Sequence, residues 1–179
     1  MVLKSIPIPI TSLSHGELTG VTASQHQVAM TKQIVVTETG ALQTGTTLMP
    51  NDDTIPQITE GDEYLTRTIT PVDAANRLII EVVVYLASSA LNIVTMGLFV
   101  GVTANALAAV AQEITAGNDQ EIMTLRHVLA AGVETELTFR VRIGGHSANT
   151  ISLNGSSELR KLGGVAASSI TIWETEPDT

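Results

Sequence analysis

Arg77-Leu-Ile-Ile-Glu-Val-Val-Val-Tyr-Leu-Ala87 is the stretch that decides the fold. β-branched residues dominate it, and they suit an extended backbone better than a helix. Alternate residues of a strand point to opposite faces. Leu78, Ile80, Val82 and Val84 therefore share one face, and Ile79, Val83 and Tyr85 share the other. A strand apolar on both sides is buried on both sides. In a two-layer sandwich one face of each sheet normally meets water. The second apolar face thus calls for a cover, either another subunit, which we expect, or an arm of the same chain.

Outward from this strand the pattern repeats. Runs rich in Val, Ile, Leu and Thr fall near 63–70, 93–100, 106–111, 121–129, 136–143, 149–153 and 168–174. Clusters of Gly, Asn, Asp and Ser separate them, with Gly117-Asn118-Asp119, Ala131-Gly132 and Asn154-Gly155 as the firmest turn signals. Counting 77–87, eight strands at this spacing predict an all-β protein, a jelly-roll-like β-sandwich. Alanine favours helix at 104–111 and 165–167, the two places in the body where helix competes, with a short helix an option at the first.

The first 57 residues differ. Ten threonines lie between Thr11 and Thr54, and large apolar clusters are few. Pro7 and Pro9 hold Ile6–Ile10 extended. A short helix is predicted around Gln25–Met30 and one short strand at Lys32–Thr37. Pro50–Pro56 reads as a turn-rich hinge. The expected division is an extended N-terminal docking and trimerisation arm, 1–57, ordering only on its partner, and a sandwich body, 58–179.

Composition narrows the function. The chain has 179 residues, 44% apolar, with only two Phe, two Tyr and one Trp. That is too little aromatic surface for stacking on single-stranded nucleic acid. The net charge of -9 repels a phosphate backbone, and the clusters Arg140/Arg142 and Arg160-Lys161 form no basic stripe. No nucleic-acid partner is expected. The absence of cysteine excludes disulfides and thiolate chemistry. The N-terminus shows no signal-peptide pattern, and the apolar runs fall far short of the ~20 residues of a membrane span. We expect synthesis in the cytoplasm and no membrane insertion.

Two stretches carry a resemblance. His15-Gly-Glu-Leu-Thr-Gly20, with His26 downstream, is similar to a linker motif repeated along fibres and collars of tailed phages. Asp52-Asp-Thr-Ile-Pro-Gln-Ile-Thr-Glu-Gly-Asp-Glu-Tyr-Leu65 resembles the opening of a phage tail-fibre or appendage domain. Ile69-Thr-Pro71, Asn76–Val82, Ala104–Ala109, Thr138–Arg142, Asn154-Gly155 and Gly163–Ile172 resemble its later blocks, so that the likeness runs from about Pro50 to Glu174. The resemblance implies a trimeric β-sandwich in a virion and brings no catalytic residues.

No residue set has the spacing of a chemical site. His15, His26, His127 and His146 form no metal-binding pair, although a three-fold axis could gather copies of His15 or His26. Asp52, Asp53, Glu60, Asp62 and Glu63 are rich enough in carboxylate to raise calcium, but lack the spacing of an EF-hand. Gly144-Gly145-His146 and Gly163-Gly164 read as turns or bulges rather than phosphate loops. There is no nucleophile elbow. Trp173 alone is poor material for the groove of a polysaccharide depolymerase. Catalytic, cofactor and metal residues are accordingly expected to be none. The sequence points to a homotrimeric virion structural protein. It would be a fibre or appendage module that contacts other virion proteins, with a host receptor or glycan as a further partner. The alternative is a capsid decoration or head-fibre protein, and a depolymerase comes third.

Overall fold

The computed structural model describes residues 31–177, which contain twelve strands and one short 3-10 turn. In chain order the strands are β1 (Thr31–Thr39), β2 (Gln43–Gly45), β3 (Asp62–Ile69), β4 (Arg77–Ser88), β5 (Asn92–Val100), β6 (Ala108–Ile114), β7 (Gln120–Ala130), β8 (Leu137–Gly145), β9 (Ile151–Leu153), β10 (Gly155–Ser156), β11 (Leu159–Arg160) and β12 (Ser168–Thr175). All named pairings are antiparallel.

One sheet runs β1-β12-β4-β7, with β2 and β9 prolonging the lines of β1 and β12. The other runs β3-β8-β5-β6. Ranked along the chain, the eight long strands stand as first-eighth-third-sixth and second-seventh-fourth-fifth. This interleaving is the double Greek key of a jelly roll. The expected all-β sandwich is therefore the fold observed.

The core lies between the inner faces. Leu78, Ile80, Val82, Val84 and Leu86 of β4 are fully buried, facing Met96 and Leu98 of β5 and Phe139, Val141 and Ile143 of β8. Ile170 and Ile172 of β12 join them. Each such side chain contributes about 1.5–3 kcal/mol on burial. A core almost without aromatic rings is possible because aliphatic side chains interdigitate across a narrow sandwich.

The boundary expected at residue 57 falls inside this fold. β1 pairs with β12 along its length, Ile34 opposite Trp173 and Val36 opposite Thr171, and supplies the first strand of the jelly roll. The short strand predicted at Lys32–Thr37 thus belongs to the body. The run at 149–153, expected as a full strand, is the three-residue β9. Residues 1–30, with the linker motif, the predicted helix, His15 and His26, lie outside the described residues.

Both β1–β2 and β9–β12 break at the same level, and one residue bridges the gap. Asn154 is fully buried with φ of 57°. Its Nδ2 donates to Thr39 O and Ala41 O at 2.8 and 3.0 Å, and its Oδ1 accepts from Ser168 Oγ at 2.7 Å. Tyr85 of β4, left facing the break, donates its N–H to Ser168 Oγ and accepts from Asn154 N. Asparagine tolerates the left-handed conformation and replaces the missing ladder bonds.

Candidate interaction surfaces

The two sheets present very different outer faces. On the second sheet Gly97 and Gly144 leave gaps. A Cβ at Gly97 would lie 2.9 Å from the ring of Phe99, and one at Gly144 would lie 2.8 Å from Met49 Cβ. Phe99 and Met49 fill these gaps, are fully buried, and stand apart from the core between the sheets. Gly144-Gly145, expected as a turn or bulge, closes β8 because residues 47–49 cross directly over it. Residues 56–58 then pair with 104–106 (Ile58 N to Ala104 O 2.8 Å, Ala106 N to Pro56 O 2.9 Å). The expected hinge at Pro50–Pro56 is part of this cover.

The acidic segment holds the cover down. Asp62 accepts from Thr47 N and Thr47 Oγ1 at 2.9 and 2.7 Å. Glu60 accepts from Gln57 N at 2.8 Å. Glu63 takes both carboxylate contacts from Arg140 Nη1 at 3.0 Å, with Arg142 Nη1 at 3.7 Å. Arg142 also donates to Glu60 O and Gly61 O at 2.9 and 2.6 Å. Asp52 accepts from Thr54, hydroxyl first and then N–H, and these bonds hold its carboxyl below the usual range. The five carboxylates are dispersed, and no three metal-ligating side chains converge among the described residues. His146 Nδ1 accepts from Asn51 N at 3.2 Å; His127 lies on β7, half-buried opposite Ile80.

The first sheet has an apolar outer face that no described segment crosses. Its central row runs Ile34, Trp173, Ile79, Val128 across β1, β12, β4 and β7. Val36 stands next to it, and Val83, Tyr85 and Ile122 lie beyond the intervening Thr171, Glu81 and Arg126. Ile34 is 54% exposed and Ile122 65%. A shallow groove of about 310 Å³ opens over Ile79, walled by Trp173, Glu81 and Arg126. Sequence reasoning found the apolar side of β4 but not the row, because strand neighbours are a matter of topology.

One buried carboxylate escaped notice in the sequence. Glu174 of β12 is fully buried at the β3–β4 end of the sandwich. Burial pushes its pKa up. Bonds from Asn76 Nδ2 and Gln33 Nε2 at 2.6 Å, with Val72 N at 2.8 Å and Asp73 N at 3.3 Å, prevail and hold it below the ordinary value. The group anchors the 70–76 loop to β1 and β12. Tyr64, another core residue, has its phenol pushed up by burial and by the Asp62 carboxylate.

The opposite end of the sandwich holds backbone strain. Every non-glycine residue with positive φ among the described residues, Asn118, Asn154, Ser157, Glu158 and Leu162, sits in the β6–β7 connection or the excursion between β9 and β12. Ser156 Oγ and Ser157 N bond Asn118 at 2.9 and 3.1 Å and tie the two together. Leu159, Leu162 and Val165 are exposed beside Arg160 and Lys161. Gly163-Gly164, expected as a turn or bulge, lies in the 3-10 turn here with φ of 64° and 90°. Non-glycine residues at such angles cost on the order of 1–3 kcal/mol each and cluster at contact sites.

No family model matches this chain, and no curated protein matches it. It is similar to the enzymatically active domain of tailspike protein 4 of bacteriophage CBA120, at 15% identity and a TM-score of 0.28, over 69% of this chain and 19% of that one. It is also similar to the protein of infectious bursal virus derived T=1 particles, at 12% identity and a TM-score of 0.33, over 80% and 36%. A third is the VP2 subviral particle of infectious bursal disease virus, at 11% and 0.31, over 82% and 39%. All are viral proteins, and the chain spans from about a fifth to two fifths of their lengths.

Proposed function

We propose that this chain is a virion structural protein of a tailed phage, a homotrimeric fibre or appendage module attached by its N-terminal residues and mediating surface interaction. One observation carries the reading. The described segment that opens the phage-like resemblance, Asp52–Leu65, spends four of its carboxylates on the fold: Asp52 on Thr54, Glu60 on Gln57, Asp62 on Thr47 and Glu63 on Arg140 and Arg142. A motif invested in holding a cover over a sheet belongs to architecture. Its work is assembly and contact, without catalysis or cofactor. The strained end with Leu159, Leu162 and Val165 suits an outward contact, since a preset loop loses less entropy on binding.

Labelling virions with antibody against the body tests this. Density confined to a few points on the tail is the expected result. Label spread over the head would make it a capsid decoration protein, and unlabelled virions would overturn the reading. Incubation with host polysaccharide should leave chain length unchanged; depolymerisation would make the protein an enzyme. Among the described residues no helix is long and apolar enough to cross a membrane.

A further inference from the structure

We infer that copies of this chain assemble through the outer face of the first sheet, with Trp173 at the centre of the contact. The inference rests on the homotrimer reading and gives it a surface. Two observations select this face. The second sheet's outer Phe99 is already sealed by the chain's own segments, Met49 among them, whereas no described segment crosses Ile34, Val36, Ile79, Trp173 and Ile122. An exposed apolar row of this kind, with further apolar residues beyond the Glu81–Arg126 pair, marks an interaction site.

Charge selects the occupant. At -9 the chain repels its own copies wherever carboxylates prevail. This face is charge-balanced: it carries Lys32, Arg77 and Arg126 against Glu38, Glu81 and Glu176, with Lys32 and Glu176 ion-paired. Glu81 and Arg126 stand directly opposite each other on β4 and β7, flanking the groove over Ile79. Another acidic copy can approach here without the penalty it meets elsewhere. The apolar residues then supply the dry contact, and Glu81 and Arg126 the hydrogen bonds between them. A tryptophan beside a groove is the side chain that most often anchors such contacts.

The protein carries its own reporter, because Trp173 is its only tryptophan. The full chain should be examined by sedimentation and tryptophan emission at micromolar concentration, alongside Ile34→Lys, Ile122→Lys and the control Val102→Lys. Ile34, Ile122 and Val102 are 54%, 65% and 89% exposed, so the folded sandwich tolerates these changes, and circular dichroism checks that it does. We expect the wild type and Val102→Lys to sediment near three times 18.8 kDa with blue-shifted emission. Ile34→Lys and Ile122→Lys should sediment as folded monomers with red-shifted emission. If both lysine variants stay trimeric with unshifted emission, copies meet elsewhere, and this inference falls while the homotrimer reading stands. A monomeric wild type would overturn the homotrimer reading itself.

Discussion

The outer faces of the two sheets solve one problem in opposite ways. Both strand sets are richer in apolar residues than a water-facing sheet needs. The second sheet is sealed from within the chain, by residues 47–61 and 101–107, with Arg140, Arg142 and Glu63 as fasteners. No described segment covers the first sheet, which is secured from its inner side and its break, through Glu174 and Asn154. The difference teaches that apolar excess on a strand reports a missing cover without saying whose it is. On one sheet the chain itself supplies the cover; on the other we infer that another copy does.

The sharpest way to break the comparison is Phe99→Ala. If Phe99 is sealed as a second core, its loss should cost about 3–5 kcal/mol in urea unfolding. A cost below 1 kcal/mol would mean that the cover is loose and that the two faces are alike. Next comes Asn154→Ala, which strips Thr39 O, Ala41 O and Ser168 Oγ of their partner and puts alanine at positive φ. We expect about 2–4 kcal/mol by the same assay, with loss concentrated in amide protection of β1 and β12. Uniform protection there would remove the first sheet's internal fastening from the argument.

Arg142→Ala should cost about 2 kcal/mol, because two carbonyls of the cover lose a charged donor. Its more telling readout is limited proteolysis: cleavage should move into residues 50–61 while the sheets persist. Resistance at those sites would show that the backbone pairing of 56–58 with 104–106 suffices. The smallest effect concerns pH. Glu174 has a folded-state pKa below its unfolded value, so it adds stability above the unfolded pKa, and this is lost as pH falls through the folded pKa. Wild type should therefore weaken on acidification more steeply than Glu174→Gln, measured as the urea midpoint from neutral pH down into the carboxylate range. Parallel pH profiles would contradict the assignment.

The alternation in 77–87 and the turns at Gly117–Asp119 and Asn154-Gly155 declare strands and their limits locally, since side-chain period and turn geometry depend on neighbours in sequence. Seven of the eight expected runs are long strands of the jelly roll. The eighth place went to 149–153 instead of β1, because Thr31–Thr39 is no more apolar than the linker-like sequence around it. Its membership depends on β12, well over a hundred residues away. Asp52–Glu63 was legible as a carboxylate-rich loop, but the partners Thr47, Arg140 and Arg142 were not, because they approach across the sheet. Glu174 looked like the end of a strand, and Leu162 and Glu158 carried no sign of positive φ.

By itself, then, the sequence determined the class: an aliphatic, cysteine-free, acidic sandwich with little aromatic surface and no chemical site at recognisable spacing. Those properties follow from composition and from periods of two, which each segment carries alone. Only the tertiary structure decided which strands are neighbours, that Met49 and Phe99 fill the gaps at Gly144 and Gly97, and that Ile34, Trp173, Ile79 and Val128 form one row. The reason is physical. A surface belongs to several strands at once, and the order in which a jelly roll interleaves them is set by long-range burial that no single stretch encodes.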